Sequence, residues 1–447
     1  MADGAFDTIV VGARCAGASL ATHLAKAGQK VLLLDAAKLP SDHPLSTHFI
    51  SPRGIDWLDE LGAGDEVRAL APPCHGVQID MLGAGIKTSY ARGRAARCPR
   101  RLHLDRILQE RAVRAGADLR DRTKVVGLVR EGGRVVGVQA VHGDVRSEYR
   151  ARVVVGADGR HSQVAELAGA KEYLAYDNPR FGYWAYWPRK AWDGEQSRLG
   201  AYLSFDERRM LRFVFQTDSD LLLVMAGPPL SELDSWKGRF EEAYLEAVRG
   251  SPVTAAIVEG STRATDLVGI LKMRYFFREA AGPGFALVGD AGLHKDPTPG
   301  YGITDALRDA RNLAPAILAG GDEALLRYWR QRDLDSIELF SFARYMGDPA
   351  YVNKLNERLY KKAVRMPEVL ARMSAQMDRD LSPFEVVTPG LAISAMLGAV
   401  FTGNFSAWPA FLAAGKVGTE VKRAKQQCVD ALAALGSAAP ADALAAE

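Results

Sequence analysis

The chain has 447 residues, 48% of them hydrophobic and 25% charged, with a formal net charge of +3. That length argues for two or three domains of an ordinary globular protein, and so small a charge gives no argument for nucleic acid or acidic membranes as partners. Four scattered cysteines, Cys15, Cys74, Cys98 and Cys428, include no CxxC and read as free thiols of a reducing cytoplasm rather than a disulfide framework or zinc site.

The N-terminus reaches FDTIVVG without a basic leader or an apolar core, so no signal peptide is expected and the cytoplasm is the expected location. Residues 6–35 predict a strand, a tight turn, a helix and a second strand ending in acid. Gly12 closes the first strand and permits the turn. Gly17 lets helix and strand approach, and the helix start offers free N–H groups to a pyrophosphate. Asp35 stands where an acid takes ribose hydroxyls. Arg14, however, occupies the place of the second glycine of GxGxxG, so its side chain must turn outward, where it can meet phosphate or substrate.

Residues 51–70 predict one helix ended by glycine, residues 75–91 strands, and residues 102–119 a helix. Between 123 and 159 short β segments are joined by EGGR and HGD hairpin turns. Residues 180–227, rich in aromatics, suit strands of a separate sheet. FALVGDAG is another buried strand, the segment from Gly302 is a helix, and the chain from about residue 320 is helical. Residues 386–415 carry no charged residue; Pro389, Gly398, Gly403, Asn404 and Pro409 interrupt them, which favours buried helices packed on the protein over a membrane span. An apolar lid over a lipophilic substrate is the sharper alternative, and peripheral membrane contact is not expected. The Ala-rich last dozen residues read as a frayed tail.

Two later stretches decide what the first turn binds. VVVGADGRHSQVAELAG (153–169) is a strand ending in Gly-Ala-Asp-Gly, and FALVGDAGLHKDPTPGYGITDALRDARNLA (285–314) ends a strand in Gly-Asp and opens a helix from a Pro/Gly loop. The three motifs in this order resemble the flavin-dependent aromatic hydroxylases of the para-hydroxybenzoate hydroxylase type, over roughly residues 6–330. The resemblance implies an α/β protein. A Rossmann-like FAD domain of the glutathione-reductase type would be assembled from residues 1–75, 98–178 and 270–330. A β-rich substrate domain would take 76–97 and 179–269, and a helical C-terminal region 331–447.

It also implies FAD as cofactor, with NADPH or NADH as a transient reductant or a separate flavin reductase as partner. Asp158 and Gly159 would lie near the pyrophosphate and the nicotinamide path. Gly289 and Asp290 would put a carboxylate on the ribityl chain. Pro297, Gly300, Gly302 and Ile303 would deliver a helix N-terminus to the pyrimidine end of the flavin, where N–H groups and the helix dipole stabilise a reduced, anionic ring. Arg101, from the family's Arg-x-x-Leu-Asp helix start, is a flavin-contacting candidate. Thr304 departs from the family's Asn, and His294 sits one place later than the usual His.

The activity implied is monooxygenation of an apolar or aromatic small molecule by O2 through a flavin hydroperoxide, as hydroxylation or epoxidation. A prenyl-reductase kind of flavin reductase or dehydrogenase is the alternative and a flavin halogenase ranks third. Aligned on Pro188, neither Trp184 nor Trp187 falls at a halogenase signature tryptophan, so FGYWAYWP reads as a core strand. His294, Lys295 and Asp296 are either a solvated loop or a proton-transfer and orienting cluster beside the ring, with His294 and Pro297 the residues nearest the chemistry. His43 and His48 have no evident third ligand and read as loop, so no metal is assigned. Arg92, Arg94, Arg97, Arg100 and Arg101 read mostly as a solvated surface, some of them available to the 2′-phosphate of NADPH.

Overall fold

Five parallel strands carry the nucleotide motifs at their ends. Phe285–Leu287, Val145–Gly156, Phe6–Val11, Val31–Leu34 and Asp118–Arg120 lie side by side in that order. The computed structural model that shows this describes residues 5–42, 46–405 and 407–435; His43 and the Ala-rich tail fall outside them. Ile9 pairs with Leu32 on one side and Val154 on the other, and all three are fully buried. Burial on both faces explains the apolar runs at residues 9–11, 31–34 and 153–155. The predicted EGGR and HGD turns join Thr123–Glu131, Arg134–His142 and Val145–Gly156 into an antiparallel meander.

A second sheet of seven strands runs Val268–Ile270, Gly182–Pro188, Leu221–Gly227, Leu211–Gln216, Ala201–Phe205, Gly76–Met81, Ala84–Ser89. Its strands Gly182–Pro188, Ala201–Phe205 and Leu211–Gln216 are covered on both faces and carry its aromatic residues. Tyr183, Ala185 and Trp187 pack with Trp236, Tyr244 and Ile257 from the helices behind the sheet. The alternate residues, Trp184 and Tyr186, join Phe49, Phe213, Phe215, Met346 and Tyr351 in a different cluster. The period of two sorts one strand between the two layers.

Two expectations are corrected. Residues 51–70 form two helices, Pro52–Leu61 and Gly64–Leu70, because Gly62 takes φ 77° and stops the first. Residues 386–415 are not buried as a block. They enter helices Pro389–Phe401 and Ala407–Ala434, whose outer side chains face solvent, with Phe401 at 85% exposure. Among the described residues no helix is long and apolar enough to cross a membrane.

Candidate cofactor and substrate site

The first turn is closed by sterics. Gly12 has φ 106°, and a Cβ there would lie 2.4 Å from the Ala157 carbonyl oxygen; one on Gly17 would lie 1.8 Å from the Gly12 oxygen. Arg14 instead takes extended backbone, φ −97° and ψ −164°, which any residue tolerates. Its half-exposed side chain points out toward Ser41 Oγ, 3.4 Å away. Helix Cys15–Lys26 has no side-chain cap and no acid in its first turn, so its leading N–H groups remain available to an anion.

Asp35 is buried and organises this turn: its carboxylate accepts from Ala13 N and Ala37 N, both at 2.8 Å. Helix Arg101–Arg114 holds the turn from the other side. Gln109 Nε2 donates to Ala13 O at 2.8 Å, and Asp105 accepts from the Cys15 thiol and, bidentately, from Arg101. Burial opposes the Arg101 charge, but Asp105, Cys15 and Asp290 together more than offset it, and the guanidinium stays charged.

Asp158 is committed to its own loop. It accepts from Ser162 Oγ, Gln163 N and Val164 N and so caps helix Gln163–Ala168. Gly159, at φ 77°, has open space where a Cβ would stand. Gly289, at φ 60°, brings its strand end against Ala16, 2.9 Å from a built Cβ. Asp290 differs from both neighbours: it is exposed between buried Gly289 and Ala291 and accepts no hydrogen bond among the described residues.

The segment that follows is not a solvated loop, and that reading is corrected. His294, Lys295 and Asp296 are all buried. His294 Nδ1 lies 2.8 Å from Arg274 O, and burial holds its pKa below the ordinary value. A carbonyl only accepts, so the neutral ring carries its proton on Nδ1 and keeps Nε2 as an acceptor. Lys295 Nζ donates to Asp305; burial, then the Arg308 charge, lowers its pKa to about 7. Asp296, raised by burial, accepts from Thr298 N and Oγ1.

Past half-buried Pro297, Gly300 turns at φ 73° and donates to the Pro297 carbonyl at 2.8 Å. Helix Gly302–Ala319 then begins with no side-chain cap, and nothing stands within 4 Å of a Cβ built on Gly302. Ile303 is buried behind it, and Thr304 Oγ1 accepts from Ser51 N at 3.1 Å.

Four contributing residues lie outside the motifs. Arg379, from the C-terminal region, donates to Asp305 and lies 4.0 Å over the Tyr301 ring, while Gln376 donates to Tyr301 Oη. His48, fully buried at φ 60°, hydrogen-bonds Tyr186 Oη through Nε2. Its neighbour Phe49 would touch a Cβ on Gly300 at 3.2 Å and packs on Phe215 with ring centroids 5.6 Å apart. No sequence spacing signals these partners, since each pair joins distant segments.

The arginine run is corrected as well. Arg94 binds Asp56 and Asp378, Arg97 donates to Ala71 O, and Arg100 binds Asp218 at 2.7 Å. Three of the five thus fasten segments together, Arg101 pairs with Asp105 within its own helix, and Arg92 alone is exposed. Arg100 ties the helix start to the second sheet; Arg101 braces Asp105, which accepts from the Cys15 thiol of the nucleotide turn.

A surface cleft of about 440 Å³ lined by Phe6, Gln29, Arg134 and Ile317 holds none of these motif residues. Among the described residues no cluster of His, Cys, Asp or Glu suits a metal. The uncapped helix starts, the glycine cradle and the exposed Asp290 fit an extended dinucleotide.

Residues 5–334 match the FAD binding domain family, and the chain belongs to it as an FAD-dependent oxidoreductase. Digeranylgeranylglycerophospholipid reductase 2 of Methanopyrus kandleri is 34% identical over 169 residues, 37% of this chain and 40% of that protein. The 6-methylpretetramide 4-monooxygenase of Streptomyces rimosus is 28% identical over 340 residues, 71% of this chain and 77% of that protein. The structure of the flavin-dependent brominase Bmp2 superposes with a TM-score of 0.74 at 16% identity, over 89% of this chain and 99% of that one. At that identity the likeness is one of fold.

Proposed function

We propose that this chain is a monooxygenase that uses NAD(P)H and O2 to hydroxylate or epoxidise an apolar or aromatic small molecule. One observation carries the reading. The aromatic face of the second sheet, Trp184, Tyr186, Phe213 and Phe215, continues through Phe49 to Gly300 at the uncapped start of helix Gly302–Ala319. Such a wall favours apolar, planar ligands and excludes water from the place they meet the cofactor.

FAD, when bound, supplies the two-electron chemistry and the activation of oxygen. The turn at Gly12, Arg14 and Gly17 would hold the pyrophosphate, with Asp35 near the adenosine ribose. Arg101 and Asp290 would take the ribityl–phosphate stretch, and the N–H groups at Gly302 and Ile303 the pyrimidine edge. Gly289 and Gly300 allow the close backbone approaches. Pro297 would wall the ring, and neutral His294 would hold or pass a proton at Nε2. Asp158 would shape the Gly159 loop that a nicotinamide approaches.

The monooxygenase relative supports oxygenation. The Methanopyrus relative supports the second reading, reduction of a prenyl chain, because its name is that of a lipid reductase. Turnover in isotopically labelled oxygen separates the two: product mass rises by one oxygen atom in the first case and takes no label in the second. Anaerobic stopped-flow bleaching of the flavin by NADH or NADPH tests direct reduction. No bleaching by either, with or without substrate, would assign electron supply to a separate reductase.

A further inference from the structure

The last two helices carry apolar residues on both their inner and their outer sides. Pro389–Phe401 turns Leu391, Ala395, Met396 and Ala399 to the protein, and the start of Ala407–Ala434 turns Ala407. Ala395, Met396, Ala399 and Ala407 pack with Leu355 and Leu359 of helix Lys354–Ala363. A further row of large apolar side chains is left outside. Ile393, Leu397 and Phe401 recur every four residues, followed by Phe405, Trp408 and Leu412. Phe405 is 69% exposed and Leu412 54%. A helix that meets water on its free side places polar residues there instead.

Charge frames this surface. Residues 386–415 contain no Asp, Glu, Lys or Arg, and at their border cations outnumber the acids Glu385 and Glu420. Arg358 donates to Thr402 Oγ1 beside Phe401, and Lys362 donates to Ser394 Oγ beside Ile393. Arg365 and Lys416 are exposed. The nearest acid on Lys354–Ala363, Glu357, is neutralised by Lys354 and Lys361.

We propose that this helical hairpin seats the protein on an anionic lipid bilayer, with Leu397, Phe401, Phe405, Trp408 and Leu412 entering the headgroup–acyl boundary. Trp and Phe favour that depth, and Arg358, Lys362 and Lys416 meet lipid phosphates at the rim. Contact is in the plane of the membrane, since neither helix is long and apolar enough to cross it. The surface is separate from the reaction proposed above and does not depend on it. A second copy of the chain would cover the apolar face as well but gives no reason for the cationic rim.

The full chain, loaded with FAD, is sedimented with sucrose-filled vesicles of phosphatidylcholine with and without phosphatidylglycerol. Binding is expected to the anionic vesicles and to weaken with salt. Phe401→Ser with Trp408→Ser should lower the partition at least about tenfold, and Arg365→Glu with Lys416→Glu should lower it for anionic vesicles only. FAD content and melting temperature should stay at the wild-type values, because the four side chains are outside the core. Quenching of tryptophan emission by bromine-labelled acyl chains should be lost in Trp408→Phe. Absence of wild-type sedimentation, or equal sedimentation of the Phe401/Trp408 variant, overturns the proposal. So does a concentration-dependent dimer, seen by light scattering and broken by the same pair, without vesicle binding.

Discussion

His48 and Tyr186 share a hydrogen bond across 138 residues of sequence, Nε2 to Oη. The pair lies between the loop that carries Phe49 and the aromatic face of the second sheet. Burial pushes the Tyr186 hydroxyl well above its ordinary pKa, so the phenol keeps its proton. His48 holds this position in left-handed backbone, φ 60°, which a non-glycine residue occupies at a cost of about 1–3 kcal/mol.

Tyr186→Phe removes the hydroxyl and leaves the His48 Nε2 buried without that partner. A destabilisation of about 1–3 kcal/mol is expected in urea unfolding. The double variant Tyr186→Phe/His48→Phe should lose much less than the sum of the two single changes. Additive losses would show that the two side chains are not coupled.

Asp290 and Asp35 should separate binding from folding. Asp290→Ala is expected to weaken FAD affinity by about 1.5–3 kcal/mol while leaving the FAD-free protein at its wild-type melting temperature, since Asp290 accepts no hydrogen bond from the described residues. Asp35→Ala should lower the melting temperature of the FAD-free protein, because two turn N–H groups lose their acceptor. Fluorescence titration with FAD and calorimetry on both variants check this. A fall in FAD-free stability for Asp290→Ala would contradict its assignment to the cofactor.

Lys295 makes stability depend on pH with a defined sign. Its pKa falls from the ordinary 10.5 to about 7 in the folded chain, by burial first and then the Arg308 charge. Between those values the unfolded chain binds the extra proton, so this residue's contribution rises with pH and is lost as pH falls toward 7. Wild type should therefore gain up to about 1 kcal/mol per pH unit relative to Lys295→Met between pH 7.5 and 8.5. Urea unfolding of both FAD-free proteins measures the difference; parallel curves would show that Lys295 stays charged.

Gly12→Ala should be far worse than Gly28→Ala, though both glycines have positive φ. At Gly28, φ 82°, nothing stands within 4 Å of a Cβ, and the cost is backbone strain of about 1–2 kcal/mol. At Gly12 the Ala157 carbonyl at 2.4 Å adds a clash, for a total above about 3 kcal/mol. Melting temperature and retained FAD on gel filtration check both. Equal losses would mean that strand and turn are not packed as described.

The sequence by itself determined the parallel core and the order of the motifs. Residues 31–34 and 9–11 are apolar without interruption because both their faces are buried, and Gly12, Gly17 and Gly300 mark backbone geometry that only glycine permits. Those are local requirements, written where they act. What only the tertiary structure decided are the matches between distant polar groups. Arg94 and Arg100 read as surface charges until Asp378 and Asp218 stand opposite them, and His48 reads as loop until Tyr186 does. An arginine in the sequence carries no sign of whether its partner is water or a carboxylate 284 residues away. Residues 386–415 fail for the same reason in reverse. Their apolar composition predicts burial, but which side of a helix is buried depends on the neighbour it meets, and Leu355 and Leu359 cover only the side that carries Ala395, Met396 and Ala399.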